Sequence, residues 1–487
     1  SESYFTLSAA TGSRTTNGIS TGSRLLSQFG KFNYAFSDRY LASFTIRRDG
    51  SSRFGQDNRY GIFPAITAGW RINKEEFFKN VTVVSNLKLR AGYGEVGNQS
   101  IGDNARFGLY EARYGPNQNV YYPDFFNIYY NVGTAYDLNG ANTGNLSSGF
   151  VSIQAANSGL KWETTKEVNV GLDFGFFDDK LSGSFDYFSR NTEGILIVPP
   201  VASAVGEGQQ RFVNGASTSN KGWEFTIGYA DKLENGLSYN ITTNFGATKN
   251  KITELPEEVR AAYPGTAANS IVGHSQYEIF GYKTDGLFQS QQDIDSHATQ
   301  IASRLGGIKY VDINSDGVIN SDDRTFIGST LPKLEYGINI SLAYKNIDFS
   351  VFGSGVAGRI GQDPYIFWNN FVQGRDNAGP GTLNAWTPTN TNTDVPSLSL
   401  ANNDNKASDY LFRNNSYFKL RNMQIGYSFS DDLVKKSGFI TSCRVYAQGE
   451  NLFWITPKGY IGSDPERTDV NRIPVPTTYS LGVNFNF

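Results

Sequence analysis

Between residues 168 and 187 the side chains alternate almost without interruption. Val168, Val170, Leu172, Phe174 and Phe176 fall on one face and Asn169, Gly171, Asp173 and Gly175 on the other. After Phe177, Asp178, Asp179 and Lys180 turn the chain, Leu181, Gly183, Phe185 and Tyr187 oppose Ser182, Ser184 and Asp186. Successive side chains of a strand point to opposite faces, so a period of two separates greasy from polar surface and excludes a helix, whose period is near 3.6. The pattern returns over residues 25–36, 39–48, 60–70, 86–94, 223–229, 237–247, 336–344, 347–353, 423–429 and 444–449. With a short strand at residues 4–7 and the closing segment, where Tyr479, Leu481, Val483, Phe485 and Phe487 oppose Ser480, Gly482, Asn484 and Asn486, that makes about fourteen strands.

Any one of these strands would suit a soluble sandwich as well as a membrane wall. The connections discriminate. Turns at Ser37-Asp38, at residues 177–180 and at Lys345-Asn346 are tight, whereas residues 97–160, 199–222, 252–332 and 357–417 are long excursions. Short turns on one side and long loops on the other is how outer-membrane barrels are built. Residues 39–48 are expected to run into a further turn at Asp49-Gly50, and the polar Ser/Thr/Gly stretch within the first forty residues reads as a loop. No composition break divides the chain, so residues 1–487 are expected to form one unit.

Composition narrows the class further. No run of about 18 apolar residues exists to cross a bilayer as a helix. The 52 Gly, 35 Phe and 28 Tyr match strands that carry aromatic girdles and small lumen-facing residues. A net charge of -3 leaves no electrostatic footprint for nucleic acid. One cysteine, Cys443, excludes an intrachain disulfide and a cysteine metal cluster. The opening SESYFTL lacks the basic and apolar regions of a signal peptide; the expectation is a leader removed upstream, or a piece of a longer chain.

Several blocks carry a family likeness: RYLASFTIRRDGSSRFG (residues 39–55), LKLRAGYGEVGNQ (87–99), residues 160–196, NKGWEFTIGY (220–229), residues 312–352, SYFKLRNMQIGYSF (416–429), RVYAQGENLFWIT (444–456) and the closing strand. In this order and over nearly the whole chain they resemble the SusC/RagA-type TonB-dependent transporters of Bacteroidota outer membranes. The resemblance implies an all-β fold, an antiparallel transmembrane β-barrel of 22 strands closed by a plug, with long extracellular loops. It also implies a TonB-contacting segment near the amino terminus and a SusD-like lid lipoprotein over the barrel. No plug-like region or TonB segment is present here, and about fourteen strands fall short of 22. The chain therefore resembles the carboxy-terminal part of such a barrel. Open strand edges in a bilayer leave backbone groups unsatisfied, so an upstream fragment or a second chain is expected to supply the remaining strands and plug.

Residues 312–323, DINSDGVINSDD, fit a calcium-loop template. Asp312, Asn314 and Asp316 stand at positions one, three and five, Gly317 at the sharp turn, the Val318 carbonyl at seven and Asp323 at twelve. A hard cation takes six to eight oxygens, and this spacing curls them round one centre, so a structural Ca2+ (or Mg2+) is expected. The competing reading is an Asx-type turn held by its own hydrogen bonds. Two aromatic-rich loops, one with Tyr121, Tyr122, Phe125 and Phe126 (followed by Tyr129 and Tyr130), the other with Tyr365, Phe367, Trp368 and Phe371, offer faces on which a sugar or peptide could stack. Loop packing, or a seat for the lid, is the alternative. No catalytic constellation emerges. His274 and His297 lie in polar loops and read as solvated; Glu163 and Glu167, and Arg47, Arg48 and Arg53, read as lumen or rim charges. The leading function is active import of a large nutrient, glycan or peptide, without enzymatic chemistry. A passive pore or adhesin, and a soluble glycan-binding β-protein, are the other readings.

Overall fold

The computed structural model describes residues 22–487 except 114–118, 122–128, 132–148, 200–210, 263–269, 372–378, 400–403, 431–432, 435, 437, 461, 463 and 467–474. Thirteen strands form one sheet in which each pairs with its neighbour in sequence. They are β1 (Leu25–Phe36), β2 (Tyr40–Ser51), β3 (Tyr60–Arg71), β4 (Val84–Asn98), β5 (Glu163–Phe176), β6 (Leu181–Glu193) and β7 (Ser217–Lys232). They continue with β8 (Leu237–Glu254), β9 (Leu334–Tyr344), β10 (Ile347–Ala357), β11 (Tyr417–Ser428), β12 (Ser442–Ile455) and β13 (Thr478–Asn486). Every pairing is antiparallel, and β1 and β13 are the two ends of the order. All thirteen long strands expected from the alternation are present; the short strand expected at residues 4–7 lies outside the described residues.

The tight turns form where left-handed backbone is required and tolerated. Ser37 and Asp38 both have φ 51°, Phe177, Asp178 and Asp179 have φ of 57°, 55° and 63°, and Lys345 has φ 52°. Asp and Asn are the non-glycine residues that most readily accept this region, which explains the turn chemistry but not the phenylalanine. Two expectations at the opposite end of the sheet are corrected. Asp49 and Gly50 do not turn; they extend β2, paired to β1 and β3, because Gly50 leaves room for the Tyr60 ring to lie across it. Residues 217–222 and 252–254 also join the ladder, since polar side chains cost nothing in a strand that has left the membrane.

Aromatic pairs gather at the tight-turn ends of the strands: Phe36 with Tyr40, Phe176 with Phe177, Tyr229 with Tyr239, Tyr427 with Phe429, and Phe439 with Phe487. Rings with one apolar and one hydrated side collect at membrane–water interfaces, so this belt marks one boundary of the bilayer. The apolar face between the ends is open, with Leu89, Val168, Val170, Phe185 and Ile425 all exposed. The other face carries charge. Arg90 on β4 forks onto Asp173 of β5 at 2.7–3.0 Å and reaches Asp186 of β6 at 2.9 and 3.0 Å.

Reaching β6 means crossing β5, and the register puts Gly171 between Arg90 and Asp186. A Cβ there would overlap the Asp186 carboxylate and lie 2.8 Å from Arg90 Cζ. The device recurs on the same face toward the other end of the strand order. Arg444 of β12 crosses Gly426 of β11 to meet Asp348 of β10, with Nε 2.9 Å from Oδ1. Gly171→Val is expected to destabilise the wall by about 1–3 kcal/mol through overpacking, read as a lower temperature for loss of the compact band in semi-native gels. Gly102→Ala, at a position with nothing within 4 Å, is the control that should leave it unchanged.

Candidate functional site

The long connections leave the sheet at the end away from the aromatic belt, and two of them fold into a layer with its own core. Strand Glu278–Gly281 pairs with Thr325–Ser329, Thr284–Leu287 with Ile308–Tyr310, and Ile360–Gln362 with Phe412–Asn414. Leu287, Ile308, Tyr310, Ile319, Ile366, Phe371, Trp386, Tyr410 and Leu411 are buried together between them. The alternation over residues 252–332 and 357–417 is too short to announce these strands. Each is three to five residues long and pairs with a segment far away in sequence.

This layer decides where the expected site residues stand. In the helix Pro364–Asn370, Ile366 is core, Trp368 is exposed and Tyr365 is half-buried, its N–H bonded to Asp363. Phe371, grouped with them on composition, packs instead against Tyr410 in the core at 5.8 Å. Tyr122, Phe125 and Phe126 lie outside the described residues; Tyr121 ends a short strand whose backbone pairs with Tyr129. His274 is not simply solvated: its ring stacks on Phe326 at 3.6 Å and Nδ1 lies 2.7 Å from Glu278. Glu167 bonds Arg190 and Glu163 bonds Asn98. Arg47 pairs with Asp49 and Arg53 with Asp103, while Arg48 bonds Gln28 and stacks over Tyr60, so these cations serve the upper wall.

The loop at residues 312–323 is seated on the same core through Ile319, and it exchanges backbone bonds with Thr299. Asp312 accepts from the N–H of Ser315 and Gly317, Asn314 from Asp316, and Asp316 from Val318. Burial works against ionisation of Asp312, but the N–H groups of Gly317, Ser315 and Asp316 together hold its carboxyl below the usual range. Asp323 is fully buried and accepts from Ile313 N–H and Asn320 N–H, the second bond closing a capping box on the 3-10 turn Ser321–Asp323. The loop geometry is thus closed by backbone donors. Among the described residues no three His, Cys, Asp or Glu groups converge in a metal-ligating arrangement.

An ionic cluster that the alternation did not reveal ties the last long loop to the wall. Lys419 of β11 and Asp464 are each 1% exposed and pair at 2.9 Å; Lys419 also reaches Glu466 at 3.2 Å. Arg421 grips Glu466 through both Nη atoms, Tyr417 donates to it at 2.8 Å, and Arg359 donates to the Pro465 carbonyl at 2.7 Å. A desolvated charge persists only when paired and hydrogen-bonded, so each partner requires the others. The sequence signal is a Lys-x-Arg on a strand and an Asp-Pro-Glu in a later loop, too far apart to be linked without the fold.

The TonB dependent receptor-like, beta-barrel family matches residues 2–452. This chain belongs to that family. It is 31% identical to TonB-dependent receptor SusC of Bacteroides thetaiotaomicron, over 96% of the chain and 44% of that protein. It is also 31% identical to TonB-dependent receptor P3 of Formosa agariphila, over 95% of the chain and 45% of that protein. A solved structure of the RagAB peptide transporter superposes with a TM-score of 0.76 at 24% identity, over 96% of this chain and 47% of that one. The chain thus spans about half the length of the curated relatives it matches.

With the family in place, the two faces of the sheet take their meaning. This is an antiparallel outer-membrane barrel wall of a Gram-negative bacterium. The open apolar face meets lipid, and the Arg90 and Arg444 bridges line the interior. The tight turns with their aromatic belt face the periplasm, and the layered loops and the Lys419 cluster are extracellular.

Arg421 above all, against the opposing effect of burial, holds Glu466 far below its ordinary value of 4.5, at about 2. Depression means that its contribution is complete above the unfolded value and is lost as pH falls toward the folded one. Protection of the segment Asp464–Glu466 from added protease should therefore stay constant from neutral pH to about pH 4.5 and decline toward pH 2. Lys419→Met leaves Asp464 buried and unpaired, an expected cost of about 3–5 kcal/mol, read as cleavage in that loop at neutral pH.

Proposed function

We propose that this chain forms the carboxy-terminal barrel wall and extracellular loops of a TonB-dependent importer of a large nutrient. The observation that carries the proposal is the SusC match at 31% identity over 96% of the chain. Two features of the wall support it. The unpaired outer edges of β1 and β13 would expose N–H and C=O groups to lipid, so further strands complete the barrel, and a plug fills it. The interior bears fixed ion pairs and the outer mouth a folded loop layer, the surroundings expected of a gated path for a hydrated solute. A SusD-like lid lipoprotein closes over that layer, and TonB supplies the energy through sequence outside these strands. The chain itself performs no catalysis.

Nutrient is glycan or peptide. The RagAB neighbour is a peptide transporter, and exposed Trp368 beside Tyr365, with the Tyr121, Tyr122, Phe125 and Phe126 loop, offers aromatic contact for either class. If import is energy-coupled, cells lacking TonB should lose uptake of a labelled nutrient mixture through this receptor as completely as cells lacking the receptor. Uptake that persists without TonB would establish a passive pore.

We also propose that the 312–323 loop takes a structural Ca2+ (or Mg2+). Each carboxylate oxygen of Asp312, bonded to one backbone N–H, and of Asp316, bonded to the Val318 N–H or the Asn314 amide, retains acceptor capacity, and the Val318 carbonyl follows at the seventh position. Asp323 would contribute by orienting the loop and, where it can turn, as a ligand. Addition of Ca2+ to chelator-treated protein should raise the unfolding temperature of the loop layer, and Asp312→Ala should abolish that rise. Identical melting with and without chelator would leave the Asx-turn reading.

A further inference from the structure

The extracellular loop layer contains a cleft of about 1030 Å3 that the barrel interior does not share. Its walls come from the strands Thr284–Leu287 and Phe412–Asn414, the turn Pro380–Asn384 and residues 391–394. Walls so distant in sequence are locked together by side chains: Trp386 Nε1 donates to Gln289 at 2.9 Å, Asn384 to Thr393 at 3.1 Å, and Thr284 donates to Asp409 through both its N–H and its hydroxyl. The cleft is therefore built into the fold and does not depend on a ligand to assemble it.

Three properties of the lining specify what would fit. Arg413 is held in advance: its Nε donates to the Tyr410 carbonyl at 3.0 Å and its guanidinium lies 5.1 Å over the Tyr410 ring. Its Nη edge meets Asp394 only at 3.5 Å, beyond the usual length of a direct N–H···O bond, and Asp394 is largely exposed. Thr391 and Asn392, both exposed, make no side-chain hydrogen bond among the described residues. Finally, the lining sets one cation, Arg413, against two carboxylates, Asp394 and the Thr284-held Asp409, so no excess of positive charge is offered to a phosphate or a uronate.

We propose that this cleft is a capture site for a neutral, hydroxyl-rich chain, the chemistry of an uncharged oligosaccharide. Amides and a pre-set guanidinium supply the mixed donors and acceptors that vicinal hydroxyls require, and Phe412 adds an apolar surface for the less polar side of a sugar ring. A peptide would be read through backbone pairing and apolar side-chain pockets, and the cleft is lined chiefly by polar side chains. The assignment rests on the import reading and sharpens it, naming one of its two substrate classes and placing first contact outside the barrel.

The receptor purified in detergent, applied to a printed array of uncharged glycans, uronic-acid glycans and peptides, tests it. Retention on uncharged glycans is expected, weakened about tenfold by Arg413→Ala and by Asn392→Ala, each removing one hydrogen-bonding group. Asn392 is exposed and unbonded, so its variant should melt with the parent protein. Retention on uronic-acid glycans or peptides alone, no retention, or retention indifferent to both substitutions would overturn the assignment. Binding needs no TonB, so the two readings fail separately. A receptor that captures glycan but imports without TonB refutes energy coupling, and one that imports normally with both substitutions refutes the cleft.

Discussion

Inside a bilayer no water is available to satisfy a backbone N–H or C=O, and each such group left unpaired costs several kcal/mol. The remainder of this structure follows from that requirement. Strands pair with their sequence neighbours in an unbroken antiparallel order: a short turn brings together the two strands of a hairpin, and the long connections join one hairpin to the next. Pairing fixes register, and register fixes which side chains face lipid, since a slip of one residue would turn every polar group outward. The belt of aromatic pairs at the tight turns then pins the sheet at one interface.

With the backbone satisfied, the interior face can carry charges that lipid would not tolerate. The Arg90 and Arg444 charges stay because they are matched across strands, and matching across an intervening strand needs an absent side chain. Gly171 and Gly426 serve this purpose, so two of the chain's many glycines are there for side-chain reach more than for backbone freedom. At the extracellular end the constraint relaxes. Strands continue past the membrane with polar residues on both faces, and the loops become long enough to bury a core of their own.

The wall was legible in the sequence. Period-two alternation located all thirteen described strands, because burial against lipid on one face repeats the same demand at every second residue. Turn chemistry located Ser37-Asp38 and Lys345-Asn346, where left-handed backbone is needed. It misled at Asp49-Gly50, since a glycine that yields to a neighbouring ring looks the same in sequence as one that turns the chain. The loop layer was hidden because its strands are too short to show a period, and composition placed Phe371 beside Trp368 although one is core and the other surface. The calcium-like spacing of residues 312–323 was plain, and the same spacing also lets backbone N–H groups occupy the carboxylates.

By itself, then, the sequence determined the kind of surface each strand presents, the sidedness of the connections and the family, because these depend on neighbours one or two residues away or on motifs read in order. Only the tertiary structure decided which charges meet: Arg90 with Asp186, Arg444 with Asp348, Lys419 with Asp464, and Arg413 at the edge of a cleft. The physical reason is range. Alternation is enforced locally by burial, whereas an ion pair or a cavity depends on residues that the register brings together from segments tens of residues apart, and nothing in the local pattern encodes that register.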